Sequence, residues 1–323
     1  VPAVSECDPE GIESTVADQV LPFEKRLFEL QESLDRADSD ADRAALEAEL
    51  DEEVRTVFSR LSAWERVQLA RHPNRPRMLD YTSRLFEDFF ELHGDRAQGD
   101  DTAMVCGIAR FEGRTVFVVG QQKGVDTDEK VLRNFGMAHP QGYRKAMRVM
   151  KLAERLGYPV ITIVDTPAAH PGIEAEQFGQ GHAIAQNLLE ASRLDTPILS
   201  IVLSEGGSGG ALAIAVGDWI AMLEYAVYMI CPPERCAEIL WRDAEKKDQA
   251  ASALRVTAQD LKDLGVIDSV VPEPRGGAHR DPDAAALAVR MEVSRFLEAC
   301  DAGEWSLEKR VEKFARMGQW LSD

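Results

Sequence analysis

No stretch of this sequence approaches the roughly 20 consecutive apolar residues that cross a bilayer. Its longest apolar runs, such as Val160–Val164 and Ile198–Leu203, fall far short, which predicts a soluble protein. Cysteine is scarce. Cys7, Cys106, Cys231, Cys236 and Cys300 are odd in number and contain no C-x-x-C pair, so neither a disulfide framework nor a zinc ribbon is expected, and a reducing compartment is the simpler setting. Cys231 and Cys236 are the nearest pair, but no second pair or histidine cluster joins them, so no metal is assigned to this chain. Basic charge is also in deficit. With 37 Lys and Arg against 56 Asp and Glu, the net charge of −19 repels nucleic acid and anionic lipid as main partners, although a local basic cluster can still hold one anionic cofactor. The N-terminal VPAVSECDPEGIES carries neither a basic flank with an apolar core nor an Arg-rich, acid-poor pattern, which points to the cytoplasm.

What is present is length and periodicity. The 323 residues suffice for one large core with a helical appendage. From about Ile12 to Arg71, Leu27, Leu30, Leu34, Leu46, Leu50, Val54, Val57 and Leu61 recur at helical spacing in a charged background, predicting a helical arm that ends at Pro73 and Pro76. A helix over Tyr81–Leu92 follows, then a hairpin of Met104–Phe111 and Thr115–Gly120 about the turn Glu112-Gly113. Next, β-branched runs alternate with helix-period segments. Val116–Gly120 precedes helices at Asp128–Phe135 and Gly142–Leu156, Val160–Val164 precedes Glu176–Arg193, and Ile198–Leu203 precedes Ser208–Val216. Such alternation predicts an α/β domain with mostly parallel strands. Further strands are expected at Ile220–Met222, Val227–Cys231 and Val266–Val271, and the last 40 or so residues read as helical. The expected division is an arm over 1–78, a main domain over 79–281 and a helical segment over 282–323.

The sharpest local signal is Ser204-Glu205-Gly206-Gly207-Ser208-Gly209-Gly210-Ala211-Leu212, set between an apolar strand and an apolar helix. Several accounts of these glycines compete. A phosphate cradle lacks both a G-K-[ST] ending and G-x-G-x-x-G spacing. A serine hydrolase is suggested because residues 206–210 satisfy G-x-S-x-G, but the one histidine after Ser208 is His279, in a Pro/Gly-rich loop, and no H-G-G-G oxyanion loop is present. A third account uses bare main-chain N–H groups at a helix start as an oxyanion hole. A fourth needs nothing beyond close helix–strand packing. A second turn, Asp165-Thr166-Pro167-Ala168-Ala169-His170-Pro171-Gly172, follows the preceding strand, and two small-residue turns at adjacent strand ends predict one cleft. His170 is a candidate general base or a packing residue. Lys123, Arg133, Arg144, Lys145 and Arg148 could attract a phosphate or carboxylate, or could be solvated helix charge.

Taken in order, several stretches resemble one family. They are Trp64 with Ala70-Arg71-His72-Pro73 and Arg75-Pro76, Gly94-Asp95-Arg96, Gln122-Lys123-Gly124, Arg133 to Met137, Gly142-Tyr143-Arg144-Lys145-Ala146, Asp165-Thr166-Pro167, Gly206 to Ala213, and Pro274 with Gly276 to Arg280. The chain resembles the carboxyltransferase α subunit of multi-subunit bacterial acetyl-CoA carboxylase over about residues 55–285. The resemblance implies a crotonase-like α/β spiral of ββα units with an N-terminal helical arm and C-terminal helices. It implies transfer of a carboxyl group from carboxybiotin, presented by the biotin carboxyl carrier protein, to acetyl-CoA, giving malonyl-CoA for fatty acid synthesis. The implied partners are a zinc-ribbon-bearing β subunit in an α2β2 assembly, the carrier protein and biotin carboxylase. Carried over by motif, the amides of Gly209 and Gly210 polarise the biotin carbonyl. Gly206, Gly207 and Ser208 shape that turn, and Ala168, Ala169 and His170 line the cofactor side of the cleft.

The sequence also departs from the family pattern. The family's D-T-P-G-A-Y-P-G is here Asp165-Thr166-Pro167-Ala168-Ala169-His170-Pro171-Gly172, and S-P-E-G-C-A is Pro232-Pro233-Glu234-Arg235-Cys236-Ala237. Acidic Asp126, Asp128 and Glu129 follow Gln122-Lys123-Gly124 where basic residues are usual. The altered Ala168–His170 turn leaves a second expectation open, a regulatory or scaffolding relative that keeps the fold and the partner surface without turnover.

Overall fold

The computed structural model describes residues 20–318. Cys7, the Ile12–Gln19 part of the expected arm and residues 319–323 of the C-terminal segment lie outside the described residues. The described chain forms two compact units that divide after Ser59.

The first unit, residues 20–59, holds helices α1 (Lys25–Asp35) and α2 (Asp40–Phe58). Ser39 starts α2 by accepting the Asp42 amide on its hydroxyl at 3.1 Å, which satisfies one of the donors that a helix start leaves open. Leu27, Leu30, Val54 and Phe58 are buried, Phe23 meets Phe58 edge-on at 6.3 Å between ring centroids, and Arg26 reaches Glu49 at 2.7 Å. The helix-period leucines of the sequence thus form part of a helical pair.

The second unit, residues 60–318, begins with α3 (Ala63–Ala70), whose Ser62 and Glu65 cap each other reciprocally, and α4 (Met78–Leu85). The expected helix Tyr81–Leu92 ends early. Phe86 turns extended (φ −117°, ψ 145°), and Glu87–Glu91 becomes strand β1, paired antiparallel with β2 (Met104–Phe111). Periodicity over so short a segment fits either state, and pairing with β2 decides it. The hairpin of β2 and β3 (Arg114–Gln121) forms about Glu112 and Gly113, both at positive φ (49° and 80°), the backbone that a two-residue hairpin turn requires.

Beyond the hairpin come α5 (Thr127–Leu132), α6 (Pro140–Leu156), β4 (Val160–Thr166), α7 (Ile173–Gln177), α8 (Gln180–Ala191), β5 (Ile198–Gly207), α9 (Ser208–Leu212), β6 (Trp219–Leu223) and β7 (Val227–Met229). The chain closes with α10 (Pro233–Trp241), α11 (Lys247–Leu254), α12 (Ala258–Asp263), β8 (Ser269–Val271), α13 (Pro282–Asp301) and α14 (Leu307–Arg316). The single helix expected over Glu176–Arg193 is broken at Gly179, which sits at φ +83°.

The sheet runs β1-β2-β3-β4-β5-β6-β8, antiparallel from β1 to β3 and parallel from β3 onward. β5 changes partner half-way. Leu199–Val202 pair with β6, whereas Glu205–Gly207 pair with β7, so the strand passes from one turn of a spiral to the next. β4 and β5 are buried along their whole length, with α6 packed on β2 and β3 through Tyr143, Ala146, Met150 and Ala153. Rigid central strands of this kind fix the loops at their carboxyl ends. No described helix is long and apolar enough to cross a membrane.

Candidate active site

The two small-residue turns meet. β4 and β5 are neighbours, with Thr166 opposite Gly206, and the backbone leaving β4 lies directly on the glycines leaving β5. A Cβ on Gly207 would stand 1.8 Å from the Pro167 carbonyl oxygen, and one on Gly210 would stand 2.4 Å from the Ala169 nitrogen. At Gly206 the obstacle is the Tyr228 ring, 2.8 Å away. Close packing therefore accounts for three of the four glycines. Gly209 is different: its Cβ would meet only Ile184, at 3.6 and 3.7 Å, an ordinary contact. Packing gives no reason for a bare residue there, although glycine inside a helix is less favourable than alanine by about 1 kcal/mol.

Ser208 turns the chain from strand to helix at φ +52°, so the first turn of α9 starts abruptly. Gly207, at its N-cap, has no side chain to accept the open N–H groups. Among the described residues, the amides of Ser208, Gly209 and Gly210 donate to no acceptor, and neither does that of Ala169 across the cleft. Gly209 is half-buried and Gly210 buried, which places these donors at the border between solvent and core.

Ala168 is held within its own turn, and His170 by the segments packed around it. The Ala168 amide donates to Thr166 Oγ1 (3.3 Å), and that hydroxyl donates to the Ala168 carbonyl (2.6 Å). His170 donates its amide to the Ala138 carbonyl (3.1 Å), accepts Gln180 Nε2 on its own carbonyl (3.0 Å) and pairs Nδ1 with Asn134 Nδ2 (2.7 Å). Since the amide nitrogen of Asn134 can only donate, His170 Nδ1 is the acceptor and the ring proton resides on Nε2. Burial, and His139, whose tilted ring lies 4.2 Å away between centroids, hold its pKa below the usual imidazole value. His170 is thus a neutral fastener of the turn. Ser208 has no described side-chain partner, so the hydrogen-bonded base that a nucleophilic serine requires is missing, and His279 is instead stacked on His72 at 4.1 Å.

Beneath the turn lies a charge network that sequence reasoning did not assemble. Glu205, buried at the end of β5, accepts Arg71 Nε at 2.8 Å and Lys123 Nζ at 3.1 Å. Lys123 also pairs with Asp165 at 2.9 Å, and Arg71 with Glu234 at 2.6 Å. Burial would raise the Glu205 pKa, but Lys123 and Arg71 reverse this and hold it below the ordinary carboxylate value. Arg75 forms a bidentate pair with Glu273 (2.7 and 2.8 Å) and donates to the Leu203 carbonyl. An adjacent cavity of about 250 Å³ is lined by Arg71, Arg77, Lys123, Phe135, Asp165 and Pro167, among others. The sequence signals for this network are Lys123, already a basic candidate, and an acid, Glu205, near the end of a mostly apolar strand. The other basic candidates are committed elsewhere. Arg144 pairs with Asp95, Arg148 donates to the Gly94 carbonyl, Arg133 pairs with Glu129, and Lys145 is fully buried against Asp100 and the Asp101 carbonyl.

Comparison with known proteins adds lineage to this geometry. Residues 16–318 match the family described as acetyl co-enzyme A carboxylase carboxyltransferase-like. The acetyl-coenzyme A carboxylase carboxyl transferase subunit alpha of Geobacter metallireducens is 50% identical over 310 residues, covering 93% of this chain and 98% of that protein. Its namesake from Nitratiruptor sp. is 48% identical over 306 residues, with the same coverage of 93% and 98%. Among solved structures, transcarboxylase 12S with methylmalonyl-coenzyme A bound has a TM-score of 0.57 at 19% identity, over 77% of this chain and 43% of that one. The β subunit of Pseudomonas aeruginosa geranyl-CoA carboxylase gives 0.56 at 17%, over 76% and 46%. At such identities the structures show the fold alone, which is the crotonase-like α/β spiral.

Proposed function

The chain belongs to the acetyl-CoA carboxylase carboxyltransferase α-subunit family, and on that premise we propose that Gly209 and Gly210 form the electrophilic surface of its carboxyl-transfer site. The reaction moves a carboxyl group from carboxybiotin to acetyl-CoA and yields malonyl-CoA. The observation that carries the assignment is Gly209. Its amide has no acceptor among the described residues, it is half-buried, and a Cβ there would meet only Ile184, at ordinary contact distance.

The residues fit a ureido carbonyl. That oxygen is neutral before transfer and gains negative charge during it, so fixed N–H dipoles at a partly dry helix start stabilise the transition state more than the ground state. Each such donor contributes a factor of roughly 10²–10³ in rate. Carboxybiotin, delivered by a carrier protein, supplies the carboxyl group and afterwards a basic ring nitrogen that can take the α-proton of the thioester. The chain's own part is to bind and orient. Gly206 and Gly207 let β7 and the Pro167 turn close on the strand end, Ser208 bends the backbone, and Ala168, Ala169 and His170 form the facing wall. No side-chain nucleophile is needed, in keeping with a Ser208 that lacks a base.

The acetyl-CoA site belongs to a partner, the zinc-ribbon-bearing β subunit, in an α2β2 assembly served by the carrier protein and biotin carboxylase in the cytoplasm. Supporting a partner is the apolar rim beside the cavity, where Val131 and Leu132 are each 64% exposed and Phe135 is 48% exposed. Large apolar side chains grouped on a surface mark places where another chain docks. The test is to purify the chain with its β subunit and assay carboxybiotin-dependent malonyl-CoA formation in wild type and Gly209→Val. The variant is expected to assemble and lose most turnover. Full synthesis in the variant complex would show the amide assignment to be wrong.

A further inference from the structure

One buried polar side chain joins the two turns, and neither the sequence motifs nor the family assignment gives it a role. Gln121 is the last residue of β3, fully buried, with β4 between it and the strand that carries the glycine segment. Its Nε2 donates to the Gly210 carbonyl at 2.8 Å, and its Oε1 accepts the Asp165 amide at 3.2 Å. The orientation of the amide is fixed by these neighbours, because a main-chain N–H can only donate and a carbonyl can only accept.

The Gly210 carbonyl is not used by its own helix. Ala213 donates to Gly209 and Ile214 to Ala211, so the carbonyl between them turns to Gln121 instead. α9 has five residues, too short to hold its geometry by internal cooperativity, and glycine has the widest backbone freedom of any residue. The direction of its open N–H groups must therefore be set from outside. We propose that Gln121 is a positioning residue for carboxyl transfer: by tying the Gly210 carbonyl to the end of β4, it aims the Gly209 and Gly210 amides at the reacting oxygen.

This inference rests on the assignment of those amides, and the experiment separates the two. Gln121→Met has nearly the same size and loses both hydrogen bonds. In the assembled complex it should lower kcat about 10–100-fold, as expected for a misplacement of about 1 Å, while KM for acetyl-CoA stays within about twofold. Gln121→Glu provides a readout that mere packing would not move. A protonated glutamic acid can still donate to the Gly210 carbonyl, whereas a carboxylate facing that oxygen cannot, and burial raises its pKa. Its kcat relative to wild type should therefore rise as the pH falls from about 9 to about 5.5, and that of Gln121→Met should not. Wild-type kcat in an assembled Gln121→Met complex would overturn the proposal. If that variant fails to assemble, the glutamate decides: a kcat ratio to wild type that is flat with pH overturns it, and a rising one supports it. Normal turnover in Gly209→Val would remove the amide assignment itself, whereas normal turnover in Gln121→Met beside an inactive Gly209→Val removes only the role of Gln121.

Discussion

Two regions of this chain offer themselves as anion sites, and they treat their donors in opposite ways. Around α6, the guanidinium and ammonium groups are engaged with the protein itself. Arg144 donates to Asp95, Gln98 and the Phe178 carbonyl; Arg148 to the carbonyls of Gly94 and His93; Lys145 to Asp100 and the Asp101 carbonyl. At the start of α9 the donors are neutral amides, and those of Gly209 and Gly210 remain open among the described residues. Formal charge is thus a poor guide to which donors stand open. The electrostatic consequences differ as well. Burial would raise Asp95, yet the amides of Ala97 and Gly99, then Arg144, bring it down to about 2, a carboxylate locked into a structural loop. The glycine turn has no such counter-charge at its tip, so its dipoles are available to an incoming oxygen.

The strongest way to break this comparison is a double dissociation. Gly209→Val should reduce carboxyl transfer about 10²–10³-fold in the purified complex and leave thermal stability nearly unchanged, because its Cβ has room beside Ile184. Lys145→Met should do the reverse. Removing the ammonium leaves the buried Asp101 carbonyl without its donor and takes one partner from the exposed Asp100 carboxylate, a loss of about 1–3 kcal/mol in denaturant unfolding. Turnover per folded complex should stay within about twofold, a barrier change below about 1 kcal/mol. Equal losses of activity in the two variants would erase the distinction between structural and catalytic donors.

How much of this was legible beforehand depended on the range of the interactions. The hairpin about Glu112-Gly113, the alternation from β3 to β5 and the placement of the glycine turn between strand and helix all follow from local rules, and they stand. The Tyr81–Leu92 helix did not, because β1 is specified by its register with β2 and not by its own five residues. The network under the turn was illegible for the same reason. Arg71 and Lys123 reach Glu205 across 134 and 82 residues of sequence, and no spacing rule extends so far. The motif also could not separate Gly209 from its neighbours: only the close approach of the β4 turn shows that three glycines serve packing while the fourth does not.

A smaller effect sharpens the comparison on its facing wall. His170 is held neutral by burial and by His139, with Asp101 and Glu174 pulling weakly the other way. Its folded pKa is depressed, so below the unfolded value of about 6.5 the unfolded chain takes up a proton that the folded chain resists. That makes stability full above about pH 6.5 and lower as the pH falls toward the folded value. His170→Gln should flatten the fall of the unfolding midpoint between about pH 7 and pH 5. An unchanged slope in that variant would mean that the turn is not held by a neutral ring.

The least effect is expected where the sequence motif drew most attention. Ser208 sits at φ +52° between β5 and α9, the backbone bend that a nucleophile elbow also uses, yet no described side chain contacts its hydroxyl. Removing a nucleophile from a serine hydrolase lowers turnover by about 10⁴–10⁶. If the main-chain nitrogens perform the chemistry, Ser208→Ala keeps the bend and the open amides and loses only an unpartnered hydroxyl. Carboxyl transfer should then fall by less than about threefold, under 1 kcal/mol of barrier. A collapse of activity with the amides intact would move the chemistry from the backbone to the side chain, and the contrast between the two regions would have to be drawn around Ser208 instead of Gly209.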